Sequence, residues 1–307
     1  METILNLSPI FKSEQDIIQM MRSMIFRILA VFIITSSAVY AQKADKQTAI
    51  TAVAYLYSFK INESDVQPMQ ENMNLIVDGS ETSFQSYNLR KMDTIKATTT
   101  YTDVNDPKRI ENNRKYKSFN KYNIYTNGME VTFNSKLGMD AYVYEETLNL
   151  DWQLGSDTKE IMGYTCKNAR VSYGGRQWEV WYAPDLPFNA GPYKFKGLPG
   201  LILKATDDTG NFDFEAAAMG SKKKVPLQYA FHSKSKNELV KTTREEFNKI
   251  QASYEGLSFN EKMNFGRTDG SRIVVTQMWD KDGNEEDLRE LDQAPEKRRL
   301  FIEVDHE

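Results

Sequence analysis

The chain has 307 residues, 40% of them hydrophobic and 12% aromatic, with a formal charge of -4. That composition supports a packed core and argues against a disordered chain, while the acidic balance offers no positive field for a polyphosphate backbone, so no nucleic-acid partner is expected. With two histidines and one cysteine, Cys166, an internal disulfide is excluded, and so is a zinc site of nitrogen and sulfur ligands without heavy use of carboxylates.

In chain order, the first signal is Arg22 and Arg27 ahead of the apolar run Ile28 to Ile34, then Thr35-Ser36-Ser37 and Val39-Tyr40-Ala41. A basic, apolar and small-residue order predicts a secretory signal peptide, with an apolar core far shorter than the roughly 20 residues a membrane-crossing helix needs. Cleavage is expected between Ala41 and Gln42, leaving no transmembrane anchor and, without a cysteine after the cut, no thiol for a lipid. Residues 1–20 read as an upstream extension, with Met21 or Met24 as the start, residues 21–41 as the signal and 42–307 as a single β-rich domain. The expected destination is the periplasm, the outer membrane or the extracellular space.

From Ala49 to Ile61, the residues Val53, Tyr55, Tyr57, Phe59 and Ile61 alternate with smaller or polar ones, the period of a strand with its aromatic face inward. Met73 to Val77 and Thr82 to Ser86 flank Asp78-Gly79 and predict a hairpin. Residues 101–120 are polar, contain Asp106-Pro107 and predict a long surface loop. Thr147 to Leu154 alternates most sharply, with Leu148, Leu150, Trp152 and Leu154 on one face, and predicts a strand. Gly174-Gly175 can take the positive φ of a two-residue hairpin turn. Pairing Tyr173 with Arg176 then sets Val171 opposite Trp178, Ala169 opposite Val180, Lys167 opposite Tyr182 and Arg170 opposite Glu179. Leu201 to Thr206 and Phe212 to Ala216 form a further hairpin around Asp207 to Asn211. One helix is expected to begin near Thr242 or Thr243, whose hydroxyl can cap it, with Glu246 three residues after Thr243 as in a capping box, and its apolar stripe is Phe247, Ile250 and Tyr254. A charged segment near 280–299 precedes a last short strand, Leu300 to Val304. The whole predicts a mostly β fold, a strongly curved antiparallel sheet or open half-barrel with one or two helices, or alternatively a β-sandwich.

Chemistry-bearing constellations are sparse. His306 is penultimate and His232 stands in a polar stretch, and both read as surface side chains. Cys166 reads as a small structural thiol in a strand. Asp280 to Asp287 gathers hard oxygens, but with Gly283 sixth in a helix-loop-helix calcium loop, Met278 would be first and Arg289 twelfth, where carboxylates are needed. No phosphate loop, metalloprotease helix or Gly-x-Ser-x-Gly elbow occurs. No metal, cofactor or catalytic residue is predicted. A hydrolase working through two carboxylates, with Glu145 and Glu146 among many candidates, has no fixed spacing and stays open.

The run Gly191-Pro-Tyr-Lys-Phe-Lys-Gly197-Leu-Pro-Gly-Leu-Ile202 contains the six letters that name the GLPGLI family of exported bacterial proteins. The likeness continues in Trp178-Glu-Val-Trp-Tyr182, Gly163-Tyr-Thr-Cys-Lys-Asn-Ala169 and Leu203-Lys-Ala205, and Phe301-Ile302-Glu303-Val304 resembles the family's Asn-Pro-Ile-Glu-Leu without its Asn-Pro pair. The resemblance implies an exported Bacteroidetes protein of that family's fold, with no established activity. Within Gly197, Leu198, Pro199, Gly200, Leu201 and Ile202, Pro199 fixes φ for a tight turn and Gly200 supplies positive φ before Leu201 enters a strand, a structural role. Trp178, Tyr182, Tyr193 and Phe195 are the binding candidates. Such aromatics are usually core, but a curved sheet left partly open makes them walls of a groove. Two function classes compete: a non-catalytic binding or carrier module for an apolar ligand or an envelope protein, which the missing catalytic constellations favour, and a carboxylate-dependent hydrolase of the periplasm.

Overall fold

Alternating runs rich in β-branched and aromatic residues build twelve strands among the described residues, all in one sheet. The computed structural model describes residues 49–101, 103, 106–138, 140–225, 227, 239–267, 272 and 300–304. Ala41, Gln42 and the rest of the signal segment, His232, His306 and the 280–299 segment lie outside these residues. A first meander runs through β1 (Ala49–Phe59), β2 (Met69–Asp78), β3 (Glu81–Ser86), β4 (Tyr122–Asn127), β5 (Glu130–Leu137) and β6 (Asp140–Thr147). A second runs through β7 (Gln153–Ile161), β8 (Tyr164–Tyr173), β9 (Arg176–Ala183), β10 (Leu201–Asp207) and β11 (Phe212–Lys223). They meet where β11 pairs with β1, and the short β12 (Val240–Lys241) lies parallel to β6 at the far edge.

The connectivity forces curvature. β6 and β7 stand ten positions apart in the strand order, which would be about 48 Å in a flat sheet at roughly 4.8 Å per strand. Only residues 148–152 join them, and an extended chain of that length reaches about 20 Å. The sheet therefore curls until its ends approach, and the Tyr173 hydroxyl at the end of β8 donates to Glu146 Oε1 on β6 at 3.4 Å. It is a strongly curved, mostly antiparallel sheet not closed into a barrel. Its β7 edge carries a register shift between Leu154 and Thr158, where Asn168 Oδ1 accepts the Asp157 amide at 3.1 Å, a bulge that blunts the free edge.

The concave face holds the core. Tyr57 stacks on Phe214 across the β1/β11 seam, centroids 4.1 Å apart, and Tyr55, Phe84, Ile124, Phe133, Val180 and Leu203 are buried beside them. The hairpin at Gly174-Gly175 has the register that its turn chemistry predicts: Tyr173 faces Arg176, Val171 faces Trp178, Ala169 faces Val180, and Arg170 pairs with Glu179 at 2.9 Å. The hairpins β2/β3 and β10/β11 also form as expected. The described residues from Ile50 onward make one compact unit.

Four helices occur among the described residues, where one or two were expected: α1 (Tyr87–Thr98), α2 (Pro107–Lys115), α3 (Arg244–Glu255) and α4 (Phe259–Asn264). The predicted helix is α3, with Thr243 and Glu246 forming both halves of the capping box. Three expectations need correction. The surface loop at 101–120 contains α2, because Asp106 accepts the Lys108 and Arg109 amides and Pro107 occupies a position where a missing donor costs nothing. The strand at Thr147 to Leu154 does not form, since the chain leaves the sheet there to cross between its ends. Leu148 is buried, but Leu154 is 65% exposed at the start of β7. Leu300 to Val304 is not a strand, yet its amides are tethered, Leu300 to the Ile61 carbonyl at 2.8 Å and Val304 to the Gly174 carbonyl at 2.7 Å.

Candidate functional site

The connection from β9 to β10, residues 184–200, is long for a compact domain and ends on the first four of the GLPGLI letters, the last two opening β10. Instead of running over the surface it folds into the sheet, where Tyr193, Lys194, Phe195, Lys196 and Leu198 are all buried. At Gly200 a β-carbon would lie 2.3 Å from the Ala183 carbonyl oxygen, so the loop closes on β9 only without a side chain there. Tyr193 holds a left-handed φ of 55°, a strain of about 1–3 kcal/mol that surrounding contacts must offset. Its ring packs on Tyr122, Phe195 and Phe214.

Those contacts converge on a buried charge cluster. Lys194 Nζ donates to Tyr144 Oη at 2.8 Å and pairs with Oε1 of Glu146 at 2.6 Å and of Glu303 at 2.7 Å, three acceptors for its three N–H groups. Arg244, the first residue of α3, takes the other oxygen of each carboxylate, Glu146 Oε2 at 3.4 Å and Glu303 Oε2 at 3.3 Å. The Tyr193 hydroxyl donates to Glu303 at 2.5 Å. Rings of Phe133, Tyr144, Tyr173 and Tyr193 surround the ammonium at 5.1 to 5.6 Å.

Burial by itself pushes the Glu303 carboxyl up, but Lys194, Tyr193 and Arg244 outweigh it and hold the group below the ordinary carboxylate range. Burial first, and the Glu303 charge second, push the Tyr144, Tyr173 and Tyr193 phenols well above theirs. Glu303 is thus a fixed anion, and the phenols around it hold their protons. Its segment is fixed by Arg176, which donates to the Phe301 carbonyl at 2.6 Å and pairs with Asp207 at 3.1 Å.

Next to the cluster lies a cleft of about 370 Å³, bounded by residues 117–121, α3 and residues 300–303. Glu71 shapes one wall, its carboxylate accepting from Ser118, from the Phe119 and Asn120 amides and from Asn120 Nδ2. The floor is aromatic: Phe59, Tyr122, Phe133, Tyr193, Phe212 and Phe247. Among the described residues, two lining groups have no hydrogen-bond partner, Asn248 Nδ2, on a residue only 6% exposed, and the Tyr122 hydroxyl. An unpaired buried polar group costs about 1–3 kcal/mol, so a ligand that satisfies one gains that much. Lys60, Lys117, Lys121, Lys136 and Lys262 also line the cleft, against two carboxylates, Glu255 and Glu303.

Of the four aromatic candidates, Tyr193 lines this cleft and three lie within the packing. Trp178 is 1% exposed, donates Nε1–H to the Tyr173 carbonyl at 3.1 Å and sits 4.7 Å from the Phe195 ring. Tyr182 and Phe195 are buried too. Gly197 donates to Asn189, Trp152 Nε1–H donates to the Lys196 carbonyl at 2.9 Å, and Leu198, Leu201 and Ile202 are buried, while Pro199 stands exposed at the turn. Lys196 donates to Thr126 at 2.8 Å, and burial pushes its ammonium down to about 8. Cys166 is buried in β8. No group of three metal-ligating side chains gathers among the described residues. Sequence reasoning missed Lys194, Arg244 and Glu303 as partners; the available signal was a lysine set between the two aromatics Tyr193 and Phe195.

Residues 57–245 match the family described as N-glycanase peptide, N-terminal domain. The chain belongs to this family. Glu146, Lys194 and Arg244 fall inside the matched stretch and Glu303 beyond it. Two solved structures described as PNGF-II, in P21 and C2 space groups, are similar at 18% identity and a TM-score of 0.47. The similarity covers 76% of this chain and 39% of each of theirs. No curated protein matches it.

Proposed function

We propose that this chain is an exported, non-catalytic binding domain whose aromatic cleft takes an apolar ligand. The cleft itself carries the reading: an aromatic floor beside polar groups that lack partners is the composition of a binding pocket. The two carboxylates of the charge cluster beside it argue against acid–base work. Glu303 is held as an anion, and Lys194 and Arg244 occupy the oxygens of both Glu146 and Glu303. The family description, an N-terminal domain of N-glycanase, fits a β-rich domain of a glycan-related protein. Export and kinship with the GLPGLI family belong to the same proposal, resting on the order of residues 21–41 and on Gly197 to Ile202.

The test is recovery of the mature protein from its own envelope, with mass spectrometry of what accompanies it. An apolar molecule should co-purify with the wild type and be lost from Gln251→Trp, which fills the cleft from α3. If nothing apolar accompanies the wild type, and a broad hydrolase screen shows turnover that Glu146→Gln abolishes, the binding reading fails.

A further inference from the structure

The cleft has a charge asymmetry that an apolar ligand alone does not use. Of its five lysines, Lys262 pairs with Glu255 at 3.2 Å, and Lys117 lies over the Phe119 ring at 5.3 Å. Among the described residues no ion pair is made by Lys60, Lys121 or Lys136. The second lining carboxylate, Glu303, is already taken by Lys194 and Arg244. Depth grades the chemistry: Phe59, Phe133, Phe212 and Phe247 are buried, Lys60 and Lys136 half-buried, and Lys117 and Lys121 exposed. Burial, and after it Lys96 and Lys121, push the Lys136 ammonium down, against weaker support from Asp140 and Asp93.

We propose that the occupant is a single-chain amphipathic anion, its hydrocarbon chain on the aromatic floor and its carboxylate or phosphate head among Lys60, Lys121 and Lys136. This rests on the reading of the cleft as a binding site and adds the head group to it. A cleft of about 370 Å³ fits one chain rather than a two-chain lipid. The occupant is therefore a free molecule and not a membrane surface. Asn248 Nδ2 and the Tyr122 hydroxyl give the bound molecule further polar partners.

Calorimetric titration of the full chain with dodecanoate, with its neutral counterpart 1-dodecanoylglycerol and with orthophosphate separates the possibilities. Dodecanoate should bind about tenfold or more tightly than the neutral probe, the gain of one charge-assisted contact. Added salt should erode that preference alone. The double variant Lys121→Gln/Lys136→Gln should lose the preference and keep the neutral affinity; the salt series on the wild type reads the same quantity without any variant. Equal binding of the two acyl probes overturns the head-group assignment and leaves the cleft reading standing. If neither binds, both fall. Orthophosphate binding as tightly as dodecanoate, or capture by phosphatidylglycerol vesicles without dodecanoate binding, overturns the single-chain anion.

Discussion

Gly174 lies directly against Glu303: a β-carbon at Gly174 would come within 2.7 Å of Glu303 Cγ and 3.3 Å of its Cα, and the Gly174 carbonyl accepts the Val304 amide at 2.7 Å. A hairpin turn chosen for its left-handed backbone is thus also the seat of the residue that closes the buried charge cluster.

Gly174→Ala should destabilise the protein more than Gly210→Ala does. Both positions have positive φ, 63° and 67°, which costs an alanine about 1–2 kcal/mol, but nothing lies within 4 Å of a β-carbon at Gly210. The excess loss at Gly174, read from urea denaturation of the two variants, measures the contact with Glu303. Equal losses would mean that the 300–304 segment yields freely.

Two buried lysines two residues apart should answer oppositely to the same substitution. Lys194→Met removes the buried cation that Glu146 and Glu303 share and leaves them the more exposed Arg244, and the expected loss is about 3–5 kcal/mol. Adding Glu303→Met to it should cost less than the sum of the single changes. Lys196→Met removes an ammonium whose partner, the Thr126 hydroxyl, keeps its contact with Thr82 at 2.7 Å. Its stability at pH 7 should equal or exceed that of the wild type. Because the folded chain binds the Lys196 proton more weakly than the unfolded chain does, stability from this group rises with pH from about 8 toward the unfolded value of about 10.4. Any advantage of the variant should therefore fade over that interval, as melting curves across pH would show.

Acid should act through Glu303. Its carboxyl is held below the ordinary range in the fold, so its contribution is fully present above the unfolded pKa and is lost as pH falls through the folded one. The difference in stability between wild type and Glu303→Gln should shrink steadily below about pH 4. A difference that stays constant down to pH 2 would place the effect of Glu303 in packing rather than charge.

How much of this was legible follows from where each signal is stored. The Gly174-Gly175 hairpin could be read to the residue because its turn chemistry and its two-faced pattern demand the same register. The α3 cap could be read because Thr243 and Glu246 meet within one turn. Helix α1 has no acidic first turn and buries only Met92, and α2 buries nothing, so neither shows an apolar stripe. Leu148 to Leu154 has the right alternation and the wrong context, since only the strand order reveals that the chain must cross there. The charge cluster draws on β6, the 184–200 loop, α3 and the 300–304 segment, and charged residues so far apart in sequence read as surface until the sheet is curled. The sequence points to Tyr193 by its ring, whereas its hydroxyl and strained backbone are what join the motif to Glu303.

The seam between the two meanders also sets an order of events during synthesis. β1 emerges first and its sheet neighbour β11 nearly last; even the Tyr55 hydroxyl bond to the Ile202 carbonyl, 2.6 Å long, bridges 147 positions. Until β11 is in place, the first meander presents β1 as an open, aromatic edge, the kind of surface that pairs with other chains. Closure must wait for contacts distant in sequence, which makes folding slow for a domain of this size. A nascent chain of this protein therefore depends on being kept apart from its copies until the second meander is complete.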